Sequence, residues 1–292
     1  MTTIAIFGNT MQHDALQEII AAIQCLESNG MHIIVESQFA AYMERHTGYM
    51  PCATVARMPS GGCGLLLSFG GDGTFLHAVR WCAQTGTPIL GINTGHLGYL
   101  AAMQMPSDPQ VLADLIKSGN WHTERRHMLK VSVDSADGIE PACSYALNEV
   151  AVLKDHSATT IVCTALLGND FMATYPGDGL LVSTPTGSTA YNLSAGGPVV
   201  QPTLDVWIVS PIASHTLTLR PLVVNTDRDM TISVQSRTGS YQLAVDGVSV
   251  PLPDTAKVRI SRAPFTTAVV RTPDSSWLGT LSRKLLWGAH SK

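Results

Sequence analysis

The chain is poor in charge and in aromatic rings: charged residues make up 14% and aromatics 6% of 292 residues. Its formal net charge is only −4, with a sequence pI near 6.2, so it lacks the basic face that a general nucleic-acid binder needs to neutralise phosphates. None of the six cysteines forms a C-x-x-C pair, and a chain of this length needs no disulfide framework. They read as small buried hydrophobes in a reducing compartment. No basic segment followed by an apolar run opens the sequence, which argues against a secretory leader. The stretches Trp81 to Ser107 and Gly179 to Leu204 are free of Asp, Glu, Lys and Arg, but Gly, Pro, Ser, Thr and Asn interrupt both. Neither would satisfy its backbone in lipid. A cytoplasmic protein without membrane or nucleic-acid partners is expected. Hydrophobic residues reach 45%, ample for a sizeable core and far from the composition of a disordered chain.

Residues 3–7 (TIAIF) form a short apolar run ending at Gly8, the pattern of a buried strand. In the following segment Leu16, Ile19, Ile20, Ile23 and Leu26 recur at helical spacing, with Asp14 as expected N-cap and Gly30 as stop. Further strands are expected at 31–37, 65–69 and 88–93, and helices near 74–84 and 108–118, the latter opened by Asp108-Pro109. Alternating strands and helices imply a Rossmann-like parallel α/β domain over 1–124. From residue 125 the period changes to two. LKVSVDS, MTISVQS, YQLAVDG, AKVRISR and TTAVVRT alternate in the strand manner, implying a β-rich, sandwich-like domain over 125–272. The final segment carries Trp277, Leu278, Leu281, Leu285 and Leu286 at helical intervals, so 273–292 is expected to dock back on the first domain.

The third strand runs directly into Gly70-Gly71-Asp72-Gly73-Thr74 and then into a helix. Glycines at such a turn let backbone N–H groups approach phosphate oxygens, and the helix N-terminus favours anions. A carboxylate in an anion-binding loop needs a reason. Asp72 takes a proton from an attacking hydroxyl, helps hold a divalent cation, or simply caps the helix. The common nucleotide fingerprints are missing: no G-x-x-x-x-G-K-[ST] occurs, and no G-x-G-x-x-G follows the first strand. A serine nucleophile is disfavoured because G-x-S-x-G is absent too.

Three other segments carry polar chemistry. GINTGHLGYL (91–100) follows the fourth strand, with Asn93 and His96 in a glycine-rich turn where ligands approach open α/β sheets. ALNEV (146–150) sets Asn148 and Glu149 between apolar residues, a pair able to accept from and donate to vicinal hydroxyls; the alternative is an exposed strand end. The block at 175–198 is uncharged after Asp178 and dense in small and hydroxylated residues. There Tyr191 can stack on a flat base while Thr189, Asn192 and Ser194 bond its edge.

Together, GGDGT, NTGHLGYL, ALNEV, DGLLVSTPTGSTAYNLSAGGP, SHTLTLRPLVV (214–224) and AVDG (244–247) resemble the NAD kinase family, in that family's order and over nearly the whole chain. GGDGT by itself is shared with diacylglycerol-type lipid kinases and phosphofructokinases. The resemblance implies phosphoryl transfer from ATP, another nucleoside triphosphate or polyphosphate, with Mg²⁺, to the 2′-hydroxyl of the adenosine ribose of NAD. It implies Asp72 as proton acceptor and phosphate contacts from Gly70, Gly71, Gly73 and Thr74, with His77 one helical turn beyond. It further implies dinucleotide contacts from Asn93, Asn148, Glu149, Asp178, Thr189, Ala190, Tyr191, Asn192, Leu193, Ser194 and Asp246, in a homodimer or homotetramer. Two positions depart from the family pattern: Pro176 stands where Arg is common, and Val248 where a polar residue is common. Loss of a cation at 176 is expected to weaken discrimination against NADH. Side-by-side kinetics with NAD and NADH test this, and an equal or stricter preference for NAD contradicts it. Two other readings of the residues are a lipid kinase, which needs a basic or amphipathic membrane face, and a non-catalytic dinucleotide sensor.

Overall fold

The computed structural model describes residues 2–11, 13–50, 54–56, 62–95, 98–134, 144–155 and 159–286. The chain divides into two units, Met1–Arg125 with Thr267–Lys292, and Arg126–Thr266. Among the described residues no helix is long and apolar enough to cross a membrane.

The first unit is built on parallel strands. Thr3–Gly8 lies between His32–Glu36 and Leu65–Phe69, with Ile4 opposite both Ile33 and Leu65. Ile89–Asn93 extends the sheet beyond Leu65–Phe69, and Thr54–Ala56 extends it beyond His32–Glu36. Every residue of Leu65–Phe69 and Ile89–Asn93 is buried, as expected of parallel strands covered on both faces. Ile19, Ile23 and Leu26 of helix Leu16–Ser28 pack into the same core as Ile4, Ile6 and Val35.

Two local expectations need correction. Helix Leu16–Ser28 starts after Asp14, its N-cap position is Ala15, and no side chain caps it. A further helix, Ser37–Thr47, follows the second strand directly. Glu36, the last residue of that strand, is also the helix cap, accepting from Phe39 N at 2.8 Å. No Gly or Pro separates the two elements, so the change of period is the sole signal. Helix Pro109–Ser118 forms as expected, with the Asp108 carboxylate accepting from Gln110 N and Gly119 in the left-handed region as its stop. The terminal helix Trp277–Leu285 belongs to this unit, and Lys284 Nζ stands 4.5 Å from the Tyr99 ring centroid.

The second unit is an antiparallel β-sandwich. One sheet runs Leu222–Asn225, Val206–Ile212, Gly179–Ser183, Glu149–Lys154, Ser240–Val245, Val248–Pro253 in spatial order. Ile161–Leu167 pairs with both Asp170–Gly177 and Met230–Ser236, and Met230–Ser236 pairs with the first residues of Lys257–Arg271. Alternate side chains of both layers meet in one core: Val150, Val152 and Leu180 from the first, Cys163, Ile232 and Val258 from the second. The helical exceptions are the turn Thr186–Thr189 and the four residues Tyr191–Ser194.

Candidate functional site

In the first unit, the buried strand Leu65–Phe69 delivers the chain into the glycine turn. Gly70 adopts φ +151°, and a Cβ there would fall 2.3 Å from Thr74 Oγ1, so only glycine fits. Gly71 is the N-cap of helix Asp72–Trp81, and no side chain caps that helix. The capping role for Asp72 is therefore excluded. The carboxylate turns instead to the chain segment after Asn93: Oδ2 accepts from Tyr99 N at 2.8 Å and Oδ1 from Leu100 N at 3.0 Å. Gly98 makes that approach possible, since a Cβ on it would lie 1.9 Å from Asp72 Oδ1. Asp72 remains half-exposed, so a bound hydroxyl can reach a carboxylate whose orientation two amides fix. Thr74 is buried behind the loop, and His77 is exposed on the next turn.

Asn93 is spent locally. Its Nδ2 donates to Gly95 O at 3.0 Å and its Oδ1 accepts from Gly95 N at 3.3 Å, so its side chain shapes the turn. His96 lies outside the described residues.

In the second unit, Asp246 is a clamp. Its buried carboxylate accepts from the amides of Leu147 (2.8 Å), Asn148 (2.9 Å) and Glu149 (3.0 Å), and its own N–H donates to Glu149 O. It does this from φ +44°, a strained conformation for a non-glycine residue that Gly247 at φ +80° continues. The expected dinucleotide contact at Asp246 is thus corrected to a positioning role. The side chains so positioned carry unsatisfied atoms: Asn148 Oδ1, Glu149 Oε2 and Thr186 Oγ1 are all buried without a hydrogen-bond partner. The turn holding Thr186 presses on the same backbone, because a Cβ on Gly187 would fall 2.3 Å from Asn148 O. Buried polar groups are almost always paired in folded proteins, so these three atoms call for a partner, an ordered water or a ligand.

Glu149 is held neutral. Burial, reinforced by the Asp246 charge and opposed by the Tyr191 amide, pushes its carboxyl up to about 8. At neutral pH it offers an O–H donor as well as an acceptor. The unfolded chain ionises Glu149 near the ordinary value while the folded chain keeps the proton to about pH 8, so the residue lowers stability progressively as pH rises through that window. Glu149→Gln keeps the shape without the charge. The variant is expected to match wild type in urea unfolding near pH 4 and to exceed it by a few kcal/mol, roughly, at about pH 8.5. Parallel pH profiles for the two proteins contradict this placement.

The long block divides by burial. Tyr191 is 38% exposed and free to stack. Ser194 is exposed, and Thr189 is half-buried with its hydroxyl 3.4 Å from Thr186 O. Asn192 is fully buried, and its amide is consumed by Ser188 O, Pro198 O and Ser210 Oγ. It bolts the turn to strand Val206–Ile212 and cannot bond a base edge. Ala190 and Leu193 offer only backbone polar groups. Asp178 pairs with Lys154 Nζ at 2.7 Å, a partner that sequence reasoning missed. At Pro176 the carbonyl accepts from His215 N at 3.1 Å, and the position offers no cation. Among the described residues, no group of three or more His, Cys, Asp or Glu side chains is placed to hold a metal ion.

Comparison with known proteins matches both parts of the chain to family models. The family model for the ATP-NAD kinase N-terminal domain matches residues 4–120, and that for the ATP-NAD kinase C-terminal domain matches residues 147–272. The chain is 37% identical over 291 residues to an NAD kinase from Porphyromonas gingivalis, covering 99% of each chain. In structure it is similar to yeast NADH kinase solved with NADH, with a TM-score of 0.86 at 22% identity, covering 100% of this chain and 89% of that one. It is also similar to an NAD kinase from Archaeoglobus fulgidus solved with ATP, with a TM-score of 0.71 at 24% identity, covering 98% and 99%. The chain belongs to the NAD kinase family and is an enzyme of that family.

Proposed function

We propose that the enzyme transfers the terminal phosphoryl group of ATP, another nucleoside triphosphate or polyphosphate to the 2′-hydroxyl of the adenosine ribose of NAD, with Asp72 as proton acceptor. The observation that carries this reading is the half-exposed Asp72 carboxylate, oriented by two backbone amides beside a glycine turn suited to phosphate. As the 2′-oxygen bonds to the terminal phosphorus, its proton passes to Asp72 and the bond to the bridging oxygen breaks, leaving ADP when ATP is the donor. Amides of Gly71, Gly73 and Thr74 and the helix N-terminus receive the negative oxygens. Little covalent chemistry is asked of the protein, so positioning and electrostatics carry the rate.

In the second unit, Asn148 Oδ1, Glu149 and Thr186 Oγ1 take the ribose hydroxyls, which satisfies atoms that are otherwise orphaned. Tyr191 stacks on a ring of the dinucleotide, with Thr189, Ser194 and the backbone of Ala190 and Leu193 at its edge. Asp178 acts through its ion pair with Lys154. Because the described residues form no cage for a divalent cation, Mg²⁺ belongs to the donor's phosphates, where it neutralises charge, and no step is assigned to it. A homo-oligomeric, cytoplasmic enzyme is part of the same reading. Phosphorus NMR of the product formed from NAD and ATP tests the reaction: a new monoester on the 2′-position is expected, and a 3′-ester or no ester contradicts it.

A further inference from the structure

Two cavities of the first unit open at the carboxyl ends of strands Thr3–Gly8 and His32–Glu36, the side of an open α/β sheet where ligands bind. The smaller, about 230 Å³, includes Thr74 and His77 of the glycine-loop helix. The larger, about 560 Å³, includes His13, Tyr42, Arg45 and His46. They share Thr10, Met11 and Gln38, so together they form one groove leading away from the glycine loop.

The larger cavity carries one sign of charge, that of Arg45. No carboxylate lines the larger cavity, although the whole chain is net negative. Glu36 is the one acidic residue of the smaller cavity, and its oxygens already accept from Phe39 N and Ser37 Oγ. Arg45 makes no ion pair among the described residues and is exposed to the groove's solvent. The Tyr42 hydroxyl lies 3.0 Å from His13 Nδ1. With the phenol donating, the ring proton of His13 sits on Nε2, an available donor. The His46 ring packs against this pair, tilted to Tyr42 at 4.5 Å between centroids and edge-on to His13 at 5.0 Å. Basic donors clustered in a groove of this size suit an extended polyanion.

We propose that this groove seats the phosphate chain of the phosphoryl donor behind the transferred group, its oxygens held by Arg45, His13 and His46. The proposal rests on the phosphoryl-transfer reading above. Nucleoside triphosphates and inorganic polyphosphate both present this chemistry, and two probes separate them. In the double variant Arg45→Gln/His46→Gln, the KM for ATP is expected to rise about tenfold while the KM for NAD stays within about twofold. Calorimetric affinity for inorganic tripolyphosphate is expected to fall by a similar factor. Arg45→Lys, which keeps the charge on the same helix face, should recover most of both. An unchanged KM for ATP overturns the groove while leaving the reaction intact. A raised KM for ATP with unchanged tripolyphosphate affinity also overturns the assignment, since the groove then reads the nucleoside. Wild-type protein that binds tripolyphosphate through Arg45 and His46 yet makes no NADP supports the anion groove and overturns the reaction assigned to the chain.

Discussion

Asp72→Asn is expected to lower NADP formation by about 10²–10⁴-fold while leaving NAD affinity within about threefold of wild type. The half-exposed carboxylate of the glycine loop is the proposed proton acceptor, and the amide that replaces it has no comparable affinity for a proton. Ground-state contacts to the dinucleotide are assigned to Asn148, Glu149 and Tyr191, none of which the substitution alters. Asn keeps one acceptor for the amides of Tyr99 and Leu100, which bond both carboxylate oxygens in the wild type, and losing the other bond costs about 1–3 kcal/mol of stability. Single-turnover quench kinetics beside an NAD titration separate the two effects. A variant that keeps more than about a tenth of the wild-type rate removes Asp72 from the proton transfer.

Gly98→Ala attacks the same carboxylate from the other side. The new Cβ would lie 1.9 Å from Asp72 Oδ1 and 2.5 Å from its Cγ, far inside contact distance. Either Asp72 swings out of its two hydrogen bonds or the backbone of Tyr99 and Leu100 withdraws. Both displace a proton acceptor that must lie within hydrogen-bond reach of the attacking hydroxyl, and a shift of about 1 Å at such a centre costs about 10²-fold in rate. The loss falls on kcat, with NAD affinity nearly unchanged and the circular dichroism spectrum of the native protein. Wild-type kcat in Gly98→Ala would show that the close approach has no catalytic consequence.

The parts of this molecule legible in its sequence are those written over a few neighbouring residues. The strand, glycine turn and helix around Asp72 follow from an apolar run meeting Gly70-Gly71, and the sandwich follows from alternation in segments such as YQLAVDG. What stayed hidden are the destinations of side chains. Asp72 finds its amide donors at Tyr99 and Leu100, beyond an intervening helix and strand. Asp246 is expected as a ligand contact because AVDG is one of the segments of the family resemblance, yet its carboxylate accepts from backbone amides nearly a hundred residues earlier in the chain. Asn192 sits in the most polar block yet is fully buried and paired with Ser210. Helix Ser37–Thr47 escaped because its cap, Glu36, is also the last residue of the preceding strand. Local pattern reveals which groups are available; tertiary hydrogen bonding decides which remain free to meet a substrate.

Asp72 and the glycine turn, with the orphaned polar atoms of Asn148, Glu149 and Thr186, are proposed to serve phosphoryl transfer to NAD. The most direct test is the initial rate of NADP formation by purified protein given NAD, ATP and Mg²⁺, read by a dehydrogenase that accepts NADP but not NAD. Steady turnover that requires both substrates and disappears in Asp72→Asn is expected. Folded wild-type protein that makes no NADP with ATP or with polyphosphate would contradict this role.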